Sequence, residues 1–181
     1  MIKSSTLVLL LMVALAAFIL GFALNSPSQS EPANQAVLLN AQLLEVTDKN
    51  DSDELVSASI GDKLGDLTLV NFWATWCAPC RHEMPMFEAM YQQAQQENKN
   101  FVIVGVTIDS VAAAQPMLDS MGISYPIVYA ENTGMELMAA MGNPEGLLPY
   151  SLLLDKDGAI LGQKLGRVHQ AEVQAWLDNS L

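Results

Sequence analysis

Thr68-Leu69-Val70-Asn71-Phe72-Trp73-Ala74-Thr75-Trp76-Cys77-Ala78-Pro79-Cys80 is the stretch on which the reading of this chain turns. Thr68 to Ala74 is almost continuously apolar, as in a central strand covered on both faces. A helix is expected next, from Cys77 or Ala78 to about Asn98, because Met84, Phe87, Tyr91 and Ala94 recur at helical spacing. Pro85 falls inside it and is expected to kink it. This order places Cys77 at a helix N-terminus, where unpaired N–H groups and the macrodipole favour negative charge. A thiolate is stabilised there, and the thiolate is the attacking species in disulfide exchange.

Cys77 and Cys80 are the chain's two cysteines. Cys77, nearer the helix end, is the expected nucleophile. Cys80, one turn inward, is placed to resolve a mixed disulfide. Pro79 suits the first helical turn, where a missing N–H costs little. No cation separates the cysteines, so a reducing couple is expected, nearer roughly -270 mV than -120 mV. Trp76 is read as an apolar lip beside Cys77, and Trp73 as core. A structural metal needs about four ligands; His82 and His169 complete no such set at workable spacing, and no metal is expected. Arg81 stands where haem attachment needs His. A peroxidase pattern would need Pro and Thr ahead of the cysteine, and only Thr75 fits. The Cys77–Cys80 pair is the expected redox group, with no other cofactor.

The chain has 181 residues and a formal net charge of -12. Such a surface repels phosphates, so no nucleic-acid partner is expected. The acidic excess otherwise reads as a solvated surface. Two cysteines are too few for a disulfide framework, and leave a single reactive pair in an oxidising compartment.

Lys3 precedes an uncharged run from Leu7 to Leu24, roughly 27 Å long as a helix and close to a bilayer core. Residues 1–24 are therefore expected to be an uncleaved anchor with its basic end in the cytosol. A cleaved signal segment with an exit at Gly21-Phe22-Ala23 is the alternative. Residues 25–36, with Pro27 and Pro32, read as a flexible tether. Residues 37–181 are expected to form one domain.

Within that domain, residues 37–46 are expected to be a strand, Leu55 to Ile60 a second, and Asp48 to Glu54 an acidic turn rather than a calcium loop. Phe101 to Ile108 reads as a strand, and Val111 to Met121 as a helix stopped by Gly122. Tyr125 to Tyr129 reads as a strand and Gly134 to Met141 as a short helix. Asp155-Lys156-Asp157-Gly158 is a turn signal between strands Tyr150 to Leu154 and Ala159 to Leu165. Ala171 to Asn179 is a closing helix. The alternation of strands and helices followed by a hairpin predicts an α/β domain with a mixed sheet flanked by helices.

Val70 to Cys80, continued by Arg81-His82-Glu83-Met84-Pro85, resembles the active-site segment of the thioredoxin superfamily. It is most similar to the membrane-anchored TlpA/ResA-like thiol–disulfide oxidoreductases, from about Leu67 to the C-terminus. The resemblance implies a thioredoxin fold behind an N-terminal transmembrane anchor. It implies a single-pass protein of the cytoplasmic (inner) membrane, its catalytic domain facing the periplasm or cell exterior. Pro149 matches the family's cis-proline, and Leu148 would offer its backbone to a substrate chain. Glu83 matches an acidic residue that tunes the thiols or relays protons; the plain reading is an exposed acid in a helix contact. Asn71 stands where thioredoxins carry a buried Asp, so deprotonation of Cys80 must be assisted elsewhere, by Glu83 or water. Tyr150-Ser151 replaces the small hydroxylated residues that usually follow the proline.

The implied function is reduction of disulfides in extracytoplasmic proteins, with a role in cytochrome c maturation. The implied partners are those disulfide-containing proteins, a membrane-embedded electron donor, and the membrane itself through residues 7–24. A monomer is expected. The alternatives are an oxidase that introduces disulfides and a non-enzymatic tethered binding module.

Overall fold

The structure is a computed structural model that describes residues 31–48 and 53–180. The anchor expected over residues 1–24, and residues 25–30 of the tether, lie outside these. Among the described residues no helix is long and apolar enough to cross a membrane.

Seven strands form one mixed sheet: β1 (Leu43–Asp48), β2 (Asp53–Ala58), β3 (Leu67–Trp73), β4 (Phe101–Thr107), β5 (Ile127–Tyr129), β6 (Tyr150–Asp155) and β7 (Ile160–Leu165). Their order is β2-β1-β5-β4-β3-β6-β7. β3 and β5 run parallel to β4, while β6 is antiparallel to β3 and pairs with β7 as a hairpin. Every residue of β3 is buried, as its apolar run requires of a strand covered on both faces.

Five helices cover the sheet: α1 (Glu31–Asn40), α2 (Ala78–Gln96), α3 (Val111–Met121), α4 (Gly134–Ala140) and α5 (Gln170–Asn179). Val70, Phe72, Val104, Leu152 and Leu154 form a core with Leu38 of α1 and with Leu137 and Met138 of α4. On the opposite face Leu69, Ile103 and Leu153 pack with Phe87 of α2 and Val173 of α5. Trp73 packs there with Cys80 and Met84 of α2 and with Ala114 and Leu118 of α3.

Most expected elements stand within a few residues of their positions. α3 stops at Gly122, whose φ of 64° is the left-handed conformation that closes many helices. Gly158 supplies a positive φ in the β6–β7 turn. The strand expected over residues 37–46 is a correction. Residues 37–40 end α1, and the strand starts only at Leu43. The tether expected to run to residue 36 likewise has residues 31–36 in this helix. The reason is tertiary. Leu38 is buried in the core, Leu39 lies against Gly158, and Gln35 Nε2 donates to Asp157 O at 2.7 Å. Docking under the β6–β7 turn thus selects helix for a sequence whose apolar run fits either period.

Candidate active site

The site forms where β3 ends. Cys77 N donates to Ala74 O at 3.1 Å, closing a turn across Thr75 and Trp76. Cys77 has extended backbone and is the N-cap of α2, with Pro79 in the first turn. Its Sγ accepts from Cys80 N at 3.3 Å, so the sulfur occupies the place where an N-cap side chain satisfies an orphan N–H. Cys77 and Cys80 are joined as a disulfide, with Cα atoms 5.3 Å apart. Cys77 is 4% exposed and Cys80 fully buried, so Cys77 is the residue nearer solvent. Trp76 beside it is 67% exposed. Trp73 is fully buried, as its core assignment requires.

The turn has a partner that the sequence did not reveal. Ile108 N donates to Trp73 O at 3.2 Å, carrying the β3–β4 pairing past the strand ends. Asp109 therefore lies beside the turn, and its Oδ2 accepts from Thr75 N at 2.6 Å. An Asp after a strand carries no motif, and only the parallel register brings it here.

Behind the disulfide sits a buried polar group. Glu83 is 1% exposed, so the plain reading of an exposed acid is corrected. Its place on α2, between Cys80 and Met84, turns it to the sheet. Asn71 Nδ2 donates to Glu83 Oε1 at 2.8 Å and to Ser151 Oγ at 2.9 Å. Val168 N donates to Glu83 Oε2 at 3.0 Å. Burial pushes the Glu83 carboxyl up to about 7, against the smaller opposing pull of Val168, Asn71 and Arg167. Asn71 Oδ1 is buried with no partner among the described residues. Ser151 takes part in this group, which gives a structural role to one of the two residues that depart from the family pattern.

The Leu148–Pro149 peptide is cis, as the resemblance implied. Leu148 packs against the cluster that contains both cysteines, and its N–H and C=O make no hydrogen bond among the described residues. The other departing residue, Tyr150, donates its hydroxyl to Met141 O, and its ring lies tilted 6.1 Å from that of Phe72. The structure thus brings Trp76, Cys77, Pro79 and Cys80 together at the head of α2, with Glu83 one turn below and Leu148-Pro149 on an adjoining loop. His82 is exposed on α2. Among the described residues no group of three or more His, Cys, Asp or Glu is arranged to hold a metal ion. A cleft of about 440 Å³ lined by Asp66, Met90, Asn98, Phe101 and Leu177 opens at the other end of β3 and β4, away from the sulfurs.

Fold and site together define a thioredoxin-like protein with a Cys-x-x-Cys disulfide at a helix N-terminus. The model of the AhpC/TSA family matches residues 38–163, and the chain belongs to that family. The thiol-disulfide oxidoreductase ResA of Bacillus thuringiensis (strain Al Hakam) is 30% identical over 117 residues, 64% of this chain and 64% of that protein. The chain thus spans just under two thirds of that relative's length. Among solved structures, a DsbF homologue from Corynebacterium diphtheriae is 26% identical, with a TM-score of 0.57, covering 77% of this chain and 86% of the other. MTB DsbF, in mixed oxidised and reduced forms, superposes with a TM-score of 0.62 at 19% identity, over 82% and 98% of the two chains.

Proposed function

We propose that this domain is a thiol–disulfide oxidoreductase that reduces disulfides of proteins outside the cytoplasm. The observation that carries the reading is Cys77 Sγ at the N-cap of α2, on the more exposed residue of the disulfide-bonded pair. In the reduced protein the Cys77 thiolate attacks a client disulfide. One client sulfur leaves as a thiolate and takes a proton, and a mixed disulfide remains. Cys80 loses its proton and attacks Cys77 Sγ, releasing the second client thiol. Two electrons pass to the client and the Cys77–Cys80 disulfide is left. A dithiol donor reached through the membrane restores the reduced pair.

Cys80 is fully buried, so its proton needs an internal acceptor. Glu83, held up to about 7 and one turn along the same helix face, has a proton affinity suited to that task near neutral pH. Leu148, with both backbone groups unused, supplies a short edge to which an extended client segment adds as a strand. Trp76 gives that segment an apolar contact. The uncharged run from Leu7 to Leu24 after Lys3 supports a single-pass anchor with the domain on the outer side of the cytoplasmic membrane. The likeness to ResA favours cytochrome c maturation as the setting, with apocytochrome c as a client. The protein acts as a monomer.

The test is turnover of the full chain with a protein disulfide. Cys77→Ser is expected to abolish it. Cys80→Ser is expected to accumulate mixed disulfides, from which the client is identified. The equilibrium of Cys77–Cys80 with glutathione fixes the direction: a couple as oxidising as about -120 mV would reverse the assignment to disulfide formation. Retention of turnover by both serine variants would overturn the assignment to this cysteine pair, and absence of turnover in the parent chain would leave the binding-module reading standing.

A further inference from the structure

Asp109, in the loop between β4 and α3, is fixed from two sides. Its Oδ2 accepts from Thr75 N at 2.6 Å, and its own N–H donates to Thr107 Oγ1 at 3.1 Å. Thr75 N shares a peptide unit with Ala74 O, and Ala74 O accepts from Cys77 N at 3.1 Å. These two bonds and standard peptide dimensions keep the Asp109 carboxylate within roughly 8 Å of the Cys77 amide. A single peptide unit thus separates this oxygen from the N-cap residue that carries the attacking sulfur.

No ion pair offsets the charge. Residues 100–155 contain no Lys, Arg or His. Among the described residues the ion pairs join Lys63, Lys99, Lys156 and Lys164 to other carboxylates. The remaining charged groups on elements packed against the cysteines, among them Arg81, His82 and Glu83 of α2, Asp119 of α3 and Glu145 of the α4–β6 loop, are the same in a chain changed only at position 109.

A thiolate at Cys77 is favoured by the N-terminus of α2 and opposed by this carboxylate. A neutral thiol, or a sulfur in the disulfide, carries no charge for Asp109 to oppose. The penalty therefore falls on the reduced form alone, and only where Cys77 is ionised. Reduction of the pair adds two electrons and two protons, and ionisation of Cys77 gives one proton back. Destabilising that reduced form makes the couple more reducing.

We propose that Asp109 is a positioning residue that holds the Cys77–Cys80 couple on the reducing side, by setting an unpaired negative charge across one peptide unit from the Cys77 thiolate. This rests on the oxidoreductase reading above and deepens it, because it assigns the direction of electron flow to a named side chain. It also explains the choice of Asp at a place where Asn would accept equally from Thr75 N.

The experiment uses the full chain and its Asp109→Asn form. The Cys77 thiolate is titrated by its ultraviolet absorbance, and each chain is equilibrated with glutathione at one pH below both thiolate midpoints and one above. Asn keeps the acceptor for Thr75 N and removes the charge; Asp109→Ser serves if the Asn form does not fold. The Asn form is expected to lower the thiolate midpoint by about half a unit to one unit. Above both midpoints its equilibrium moves about three- to tenfold toward the reduced pair, the upper figure corresponding to about 30 mV. Below both midpoints the two chains agree. A loosened turn would shift the equilibrium equally at both pH values, so the difference between them isolates the charge. Equal midpoints overturn the proposal, as does a shift that is the same at both pH values. A parent couple as oxidising as about -120 mV instead removes the reductase reading on which the proposal stands.

Discussion

Val168 N–H donates to Glu83 Oε2 at 3.0 Å, a bond that ties α2 to the link between β7 and α5, eighty-five residues later in the chain. With Asn71 on the other oxygen, it holds Glu83 in one orientation beneath the disulfide. The carboxyl is thus buried with fixed donors and, among the described residues, no ion-pair partner. That environment raises its pKa without abolishing its ability to ionise near neutrality.

Stability is expected to fall with rising pH because of this group. Its native value of about 7 lies above the ordinary 4.5, so the folded protein binds more protons between the two. The contribution is fully present below about pH 4.5 and is lost as pH rises through about 7. A shift of this size corresponds to on the order of 3 kcal/mol. Urea unfolding of the oxidised protein at about pH 5 and about pH 8 measures it. Glu83→Gln should lose the slope. It should also be weaker by about 1–3 kcal/mol at the acid end, because one oxygen replaces two acceptors. A parent protein as flat with pH as the variant would place the carboxyl at its ordinary value.

Asp109 is expected to govern the order of the turn that carries Trp76. It accepts from Thr75 N at 2.6 Å, and Asn can still accept there while Ala cannot. Asp109→Ala should cost about 1–3 kcal/mol, and Asp109→Asn less. Amide hydrogen exchange gives the local readout. The Thr75 amide should lose protection in the Ala variant and keep it in the Asn variant.

Gly105, in the middle of β4, leaves no room for a methyl group. A Cβ there would lie 2.6 Å from Ile127 Cδ1, 3.0 Å from Trp73 Nε1 and 3.1 Å from Tyr125 Cε2. Gly105→Ala should cost about 1–3 kcal/mol by overpacking. Because Trp73 must give way, its fluorescence should change as well. A variant as stable as its parent would mean that this core is looser than its contacts indicate.

Gly122 tests backbone conformation by itself. Its φ is 64°, and among the described residues no atom beyond its chain neighbours lies within 4 Å of where a Cβ would stand. Gly122→Ala should still cost about 1 kcal/mol through the left-handed conformation. Thermal unfolding should show the drop.

Elements whose signals are local were legible. The β3 run, the Asp155–Gly158 turn and the Gly122 stop each carry their geometry in a few neighbouring residues. The N-terminal boundary was not, because residues 37–46 are apolar enough for either period. The choice was made by Leu38 and Leu39 reaching core and turn residues far along the chain. Glu83 was legible as a candidate but not in its burial. A carboxylate on a helix is solvated by default, and only the docking of Asn71 and Val168 encloses this one. Asp109 carried no signal at all, since its role exists only through a backbone group brought close by the fold.

By itself, the order of residues determined that two sulfurs sit at the head of a helix after a buried strand, because strand period, helix stripe and cysteine spacing are all short-range. Tertiary structure alone decided what surrounds them. The parallel register sets Asp109 on the turn, the sheet face sets Asn71 and Glu83 below, and the α4–β6 loop sets Leu148 close by, its backbone unused among the described residues. Those placements join residues dozens of positions apart, and long-range proximity is the one quantity that local propensity does not encode.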